Sequence, residues 1–189
     1  MVTRADMIGS ISRALVRDEI DPADMNSWLR KATKRINEDL RVGEMLKHKV
    51  LPITDRIFAA PDDFLSARDV RLGSNVGPEI VVGPSRGALL YTPPANIANM
   101  SARSDLAGRV PGYYTVHGKQ FEITPWSYTP GALQVGLWYF AKIPDLGPAD
   151  DATNFLVSDF EDLFLNAALI FGHRHYFEDD RALLKDGLV

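Results

Sequence analysis

Four histidines, at positions 48, 117, 173 and 175, are the residues from which metal or proton-transfer chemistry would have to be built. His173 and His175 are two apart, so on a helix they point to different faces, whereas a helical metal pair needs a spacing of three or four. One then belongs near a helix C-terminus, where its charge suits the dipole, and the other is packed or solvated. The stretch "GPSRG" (83–87) looks like a phosphate-binding loop but lacks the lysine and hydroxyl pair that hold phosphate and magnesium. "GK" (118–119) falls where a hairpin turn is expected. No G-x-S-x-G elbow is present. The acidic runs Asp62-Asp63, Asp150-Asp151 and Glu178-Asp179-Asp180 sit beside expected turns and helix starts, without the calcium-loop pattern. The chain has no cysteine, which removes thiolate catalysis, disulfides and cysteine zinc sites together and fits a reducing compartment. Apart from two remote carboxylates meeting in the fold, nothing indicates an enzyme, and no cofactor or metal is expected.

The aromatic residues carry more information. Tyr113, Tyr114, Phe121, Trp126, Tyr128, Trp138, Tyr139 and Phe140 cluster in the second half of a strand-rich region. One reading makes them sheet core with alternate residues facing out. The other gives Trp126 and Tyr128, just after a proline, to a subunit interface, where Trp and Tyr are enriched. An exposed platform around Trp126 or Trp138 would instead suit a carbohydrate- or peptide-binding module.

These residues need elements to position them. The 189-residue chain is 46% apolar and 24% charged, enough for a real core. Its start has no signal-peptide pattern, and no run reaches a membrane span. Met7, Ile8, Ile11, Ala14 and Leu15 define a helix over about 5–16. Asp21 and Pro22 then start a second helix with the stripe Met25, Trp28, Leu29, Ala32, Ile36 and Leu40, ending near Gly43. Short Gly- and Pro-punctuated runs follow ("KVLPI", "RIFAAP", "DVRLG", "EIVVG", "ALLYTPP"), with a hairpin "YYTVHGKQFEI" and a final run "GALQVGLWYFAKIP". "PPANIANMSAR" reads as a short helix or an irregular excursion. After a Pro/Gly/Asp linker, Ser158 and Glu161 form a capping-box signature for a helix over 158–176 that is apolar on almost every side. Such a helix is buried inside a helical cluster or against another subunit, and Ala167 and Ala168 permit close approach.

The expected fold is therefore α+β. Residues 1–43 and 141–189 form a helical body, and 44–140 form a central antiparallel, strand-rich, sandwich-like region. The formal charge of −4 is uneven: residues 1–49 carry two excess basic charges, 50–140 balance, and 141–189 carry six excess acidic ones. That pattern argues against sequence-specific nucleic-acid binding but allows duplex to pass through an acidic channel.

The order of these motifs resembles the head-to-tail connector proteins of tailed bacteriophages, the adaptor, gateway or tail tubular A-like group. "LQVGLWYFAKIPDL" followed by "NFLVSDFEDLFLNAALIFGHRHYFEDDRALL" is similar to that family's strand, "KIP-L" and alanine-containing helix. "ADMNSWLRKATKRINEDLR", "IFAAPDDFLSARDVRL" and "GYYTVHGKQFEITP" resemble its second helix, strand entry and hairpin. The resemblance covers roughly 22–185, and the chain ends soon after "RALLKDG", earlier than many relatives. It implies a structural virion protein of the neck or tail, assembled in the host cytoplasm. About twelve copies would form a ring under the portal protein, extend the channel for duplex DNA and present a surface to a tail tube or nozzle protein. The interface candidates are Trp28, Trp126, Tyr128, Phe160, Phe164, Ala167 and Ala168. Other phage neck or tail-completion proteins are the alternative.

Overall fold

The computed structural model describes residues 2–16, 20–74, 87–103, 110–126 and 133–186. In chain order the elements begin with α1 (Arg4–Leu15), α2 (Pro22–Asp39), a 3-10 turn (Gly43–Met45), β1 (Leu46–Ile53), β2 (Ile57–Ala59), β3 (Phe64–Ser74) and β4 (Leu90–Tyr91). They continue with α3 (Pro94–Ser101), β5 (Tyr113–His117), β6 (Gln120–Thr124), β7 (Leu133–Ala141), α4 (Phe155–Asp159) and α5 (Glu161–Asp186). The chain divides into a helical unit, Met1–Glu44 with Ile143–Val189, and a strand unit, Met45–Lys142. Among the described residues no helix is long and apolar enough to cross a membrane.

In the helical unit, Thr3 and Asp6 close a reciprocal capping box on α1. Asp21 caps α2 through the Ala23 amide, with Pro22 at the first helical position. The α2 stripe Met25, Trp28, Leu29, Ala32 and Ile36 is buried, and α5 packs on both α2 and α1. Over the part of α5 whose burial is described, residues 161–176, the buried positions are Phe164, Ala168 and Gly172, a four-residue repeat that forms one narrow stripe. Gly172 is a point of close approach. A Cβ there would lie 3.1 Å from Leu15 Cδ1 and 3.3 Å from two carbons of the Trp28 ring.

Polar clamps fix the loops of this unit. The nearly buried Arg4 guanidinium donates to Asn26 Oδ1 at 2.7 Å and to Asp150 at 2.8 Å. Asn37 holds the start of the return segment like a rung of sheet: its Nδ2 donates to the Ile143 carbonyl (3.1 Å), and its Oδ1 accepts the Ile143 amide (2.8 Å).

The entry to α5 differs from the expected capping box at Ser158 and Glu161. Asn154, four residues earlier, accepts from the Val157 amide and starts α4, which places Ser158 inside a helix with its hydroxyl turned back to the Asn154 carbonyl. Phe160 leaves helical geometry (φ −134°, ψ 42°), and its carbonyl takes the Phe164 amide as α5 begins. Nor is the helix enclosed on every side: Leu163 and Ile170 are 43% and 56% exposed.

The strand unit is a small two-sheet sandwich, one sheet ordered β1-β7-β3 and the other β2-β6-β5-β4. Leu133, Val135, Leu137 and Tyr139 of β7 meet Phe121, Ile123 and Tyr114 of the second sheet in one core. Phe64 bridges the sheets, its ring 5.2 Å from Phe121 and 6.0 Å from Tyr139. The hairpin turns at Gly118-Lys119, with Gly118 at φ +59° as a two-residue primed turn requires. The expected all-antiparallel pairing fails at one place: β4 pairs with β5 in parallel, Leu90 opposite Tyr113. The run "EIVVG" lies outside the described residues, as does all of "GPSRG" except Gly87.

Candidate functional site

Each chemically interesting side chain has a local partner that accounts for it. Glu122, nearly buried on β6, is held by Arg56, whose Nε donates at 3.0 Å, and lies 3.4 Å from His117. Asp63 accepts from Lys47 (2.7 Å) and from the Tyr139 hydroxyl (2.9 Å). Burial pushes the Asp63 carboxyl up, but these two donors outweigh it and hold it below the ordinary carboxylate value. The reverse applies to its partner, since burial first and the Asp63 bond and charge next push the Tyr139 hydroxyl up to about 12. His175 stands 3.7 Å from Asp24 with its ring 5.8 Å from Trp28. Among the described residues no group of three or more potential ligands could hold a metal ion. Two clefts among the described residues measure about 260 Å³ beside Asn26, Arg30 and Asp145, and about 190 Å³ beside Arg56, Thr124 and Trp126. Neither brings together a nucleophile, a base and an anion-stabilising group.

What the structure does present is surface. On α5 the side opposite the buried stripe carries Leu163 and Ile170, one heptad apart, with half-buried Ala167 at its border. At its start lie Asp159, Glu161 and Asp162, and the Phe155 and Phe160 rings meet edge-on at 6.2 Å. Among the described residues none of these three carboxylates has an ion-pair partner.

The outer face of the β1-β7-β3 sheet is the second surface. The register sets His48 of β1 and Asp69 of β3 on either side of Trp138, and Leu46 and Ser66 on either side of Phe140. His48 stacks on Trp138 with ring centroids 4.1 Å apart and planes inclined by 27°. Arg71, paired to Asp69 at 2.7 Å, lies over the same indole at 5.2 Å. Trp138 and Phe140 are half-buried, and Leu46 is exposed. Arg68 is exposed at a β3 bulge, whereas Lys49 on the β1 edge pairs with Leu137 and so faces the other side of the sheet. The result is an aromatic platform crossed by an arginine–aspartate pair.

The expected interface residues are distributed unequally. Trp28, Phe164 and Ala168 are buried within their own helical unit, Phe160 at the break before α5 and Ala167 on α5 are half-buried, and Trp126 is half-buried beside the smaller cleft. Tyr128 lies outside the described residues. Sequence reasoning counted Leu163 and Ile170 among the residues of a helix buried on several sides, where the structure exposes them, and it passed over the His48–Trp138 stack. The heptad spacing of the leucine and isoleucine was the available signal for the first two. For the stack none was available, because the partners are far apart in the chain.

Comparison with known proteins supplies what chemistry does not. A protein-family model described as SU10 adaptor protein matches residues 2–186, nearly the whole chain. No curated protein matches.

Proposed function

The chain belongs to the SU10 adaptor protein family, a family of bacteriophage head–tail adaptors, and from that premise we propose that it is a structural subunit of the virion neck. In this reading about twelve copies close into a ring beneath the portal protein, extend the DNA channel and present a docking surface to a tail tube or nozzle protein. The family match over 2–186 carries the reading. The two exposed surfaces support it, because a ring subunit must offer different faces to its two neighbours.

Duplex passes through such a ring without sequence-specific contact. The six excess acidic charges of residues 141–189 suit a lumen or rim, where like charge keeps phosphate from adhering. Finding that segment wholly on the outer wall of the ring would refute the lumen assignment.

Electron microscopy of the purified chain, alone and mixed with its portal, tests the whole reading. A closed ring coaxial with the portal is the expected result. A ring that binds a tail tube and ignores the portal would make the protein a tail-completion component. A monodisperse monomer in both samples would refute the adaptor role.

A further inference from the structure

The second sheet of the sandwich has two unlike faces. Tyr114, Phe121 and Ile123 point into the core, so Thr115, opposite Glu122, and Thr124, opposite Tyr113, point the other way. Both threonines are buried, Thr115 completely, and α3 packs on β5 and β6 over this face. The seam is thus polar where a helix on a sheet is ordinarily apolar. Among the described residues the Thr115 hydroxyl has no hydrogen-bond partner, which penalises the covered state, since water would satisfy it.

α3 contributes little to offset that cost. Of its eight residues only Ile97 is buried, and its N-cap is Pro93, which offers no side-chain hydrogen bond to the first amides. Across the seam Ser101 and Thr124 share a hydrogen bond of 3.2 Å. Before the helix the Thr92 amide donates to the Tyr114 carbonyl at 2.8 Å, and beyond it the Gly112 amide donates to the Thr124 carbonyl at 3.2 Å. Both anchors belong to the bonding of the sheet and do not need the helix that hangs between them. A cleft of about 190 Å³, lined by Met100, Ser101, Thr124 and Trp126, lies at the C-terminal end of the helix.

We propose that α3 is a latch: it lifts from the second sheet and melts as a unit while the sandwich stays folded beneath it, uncovering the face that carries Thr115 and Thr124. Opening loses few buried apolar contacts and lets water reach a stranded hydroxyl, the conditions under which a segment opens by itself. A lifted helix of eight residues has no stability of its own in water, so its amides report the opening. The latch is a property of the strand unit and does not depend on the ring reading.

Hydrogen exchange of the full-length protein, resolved by residue with NMR, tests this. After correction for intrinsic rates, the α3 amides should exchange at least about a hundredfold faster than those of β6. Ile97→Ala should speed α3 by a further factor of about ten or more and leave β6 unchanged. Thr115→Val puts a methyl where the stranded hydroxyl stands and should slow α3 about tenfold. If α3 is protected as strongly as β6, the helix opens only with the whole unit and the proposal is overturned. It is also overturned if Ile97→Ala accelerates β6 as much as α3, or if Thr115→Val leaves α3 exchange unchanged.

Discussion

Gly172 is the position where one added carbon tests the packing of the helical unit. In an open helix, Gly→Ala stabilises by about 1 kcal/mol through backbone entropy. Here the new Cβ would stand 3.1 Å from Leu15 Cδ1 and 3.3 Å from two atoms of Trp28. The end of Leu15 can turn aside, but the Trp28 ring has little room. It is 1% exposed, with the His175 and Tyr176 rings each 5.8 Å away. Overpacking a closed site costs about 1–3 kcal/mol, so the clash should exceed the helix gain and leave Gly172→Ala less stable by about 1 kcal/mol, or about 3 °C in Tm. Trp28→Phe shortens the ring that meets the new methyl. In that background Gly172→Ala should become stabilising by about 1 kcal/mol, a coupling of about 2 kcal/mol in a double-mutant cycle. Urea unfolding followed by far-UV circular dichroism on the four proteins measures it. If Gly172→Ala stabilises equally with Trp or Phe at position 28, the close approach does not limit this interface.

Three further substitutions probe separate devices. Val16 ends α1 as an exposed β-branched residue at φ +53°, so Val16→Gly should stabilise by about 1 kcal/mol by relieving left-handed strain, read as a rise in Tm. Tyr139→Phe removes the hydroxyl bonded to Asp63 and should cost about 1.5 kcal/mol at neutral pH. The raised tyrosine stabilises the native state below pH 10 and loses that contribution as pH climbs through about 12, whereas the lowered Asp63 contributes above the ordinary carboxylate range and loses its share as pH falls through its folded value. Urea midpoints across pH should therefore show the alkaline fall flattened in Tyr139→Phe; an unchanged alkaline limb would remove Tyr139 as its source. Arg4→Lys keeps the charge but loses the fork that grips Asn26 and Asp150, so it should destabilise by about 1–2 kcal/mol; equal stability would show that charge alone suffices.

Where a local rule acted alone, the sequence could be read directly. Asp21 and Pro22 start α2 because cap and ring need no distant help, and Gly118 turns the hairpin because the turn requires positive φ. Where two local signals competed, tertiary contacts decided. Ser158 and Glu161 form a sound capping pattern, but Asn154 caps first and also donates to the Pro144 carbonyl, so the helix starts early and breaks at Phe160. The break helps explain the surface. It sets the phase in which Phe164, Ala168 and Gly172 turn inward and Leu163 and Ile170 turn out. The His48–Trp138 stack depends on the pairing of β1 with β7, whose register no local stretch encodes. Likewise Gly172 reads as an indifferent helix glycine until Trp28 is found against it.

The charge pattern shows the same dependence on where boundaries fall. Divided at residues 49 and 140, the acidity appears to belong to the tail, with the strand region neutral. Divided where the structure divides, at Glu44 and Lys142, three lysines change sides: Lys47 and Lys49 on β1, and Lys142 just after β7. With Glu44 staying behind, that shift makes the strand unit basic and the helical unit more acidic. Lys47 and Lys49 sit opposite Tyr139 and Leu137, on the side of the sheet away from Trp138, and Lys47 is paired to Asp63. The asymmetry between the units, ten basic against seven acidic side chains (+3) and eleven against eighteen (−7), is therefore legible only once the boundaries at Glu44 and Lys142 are known.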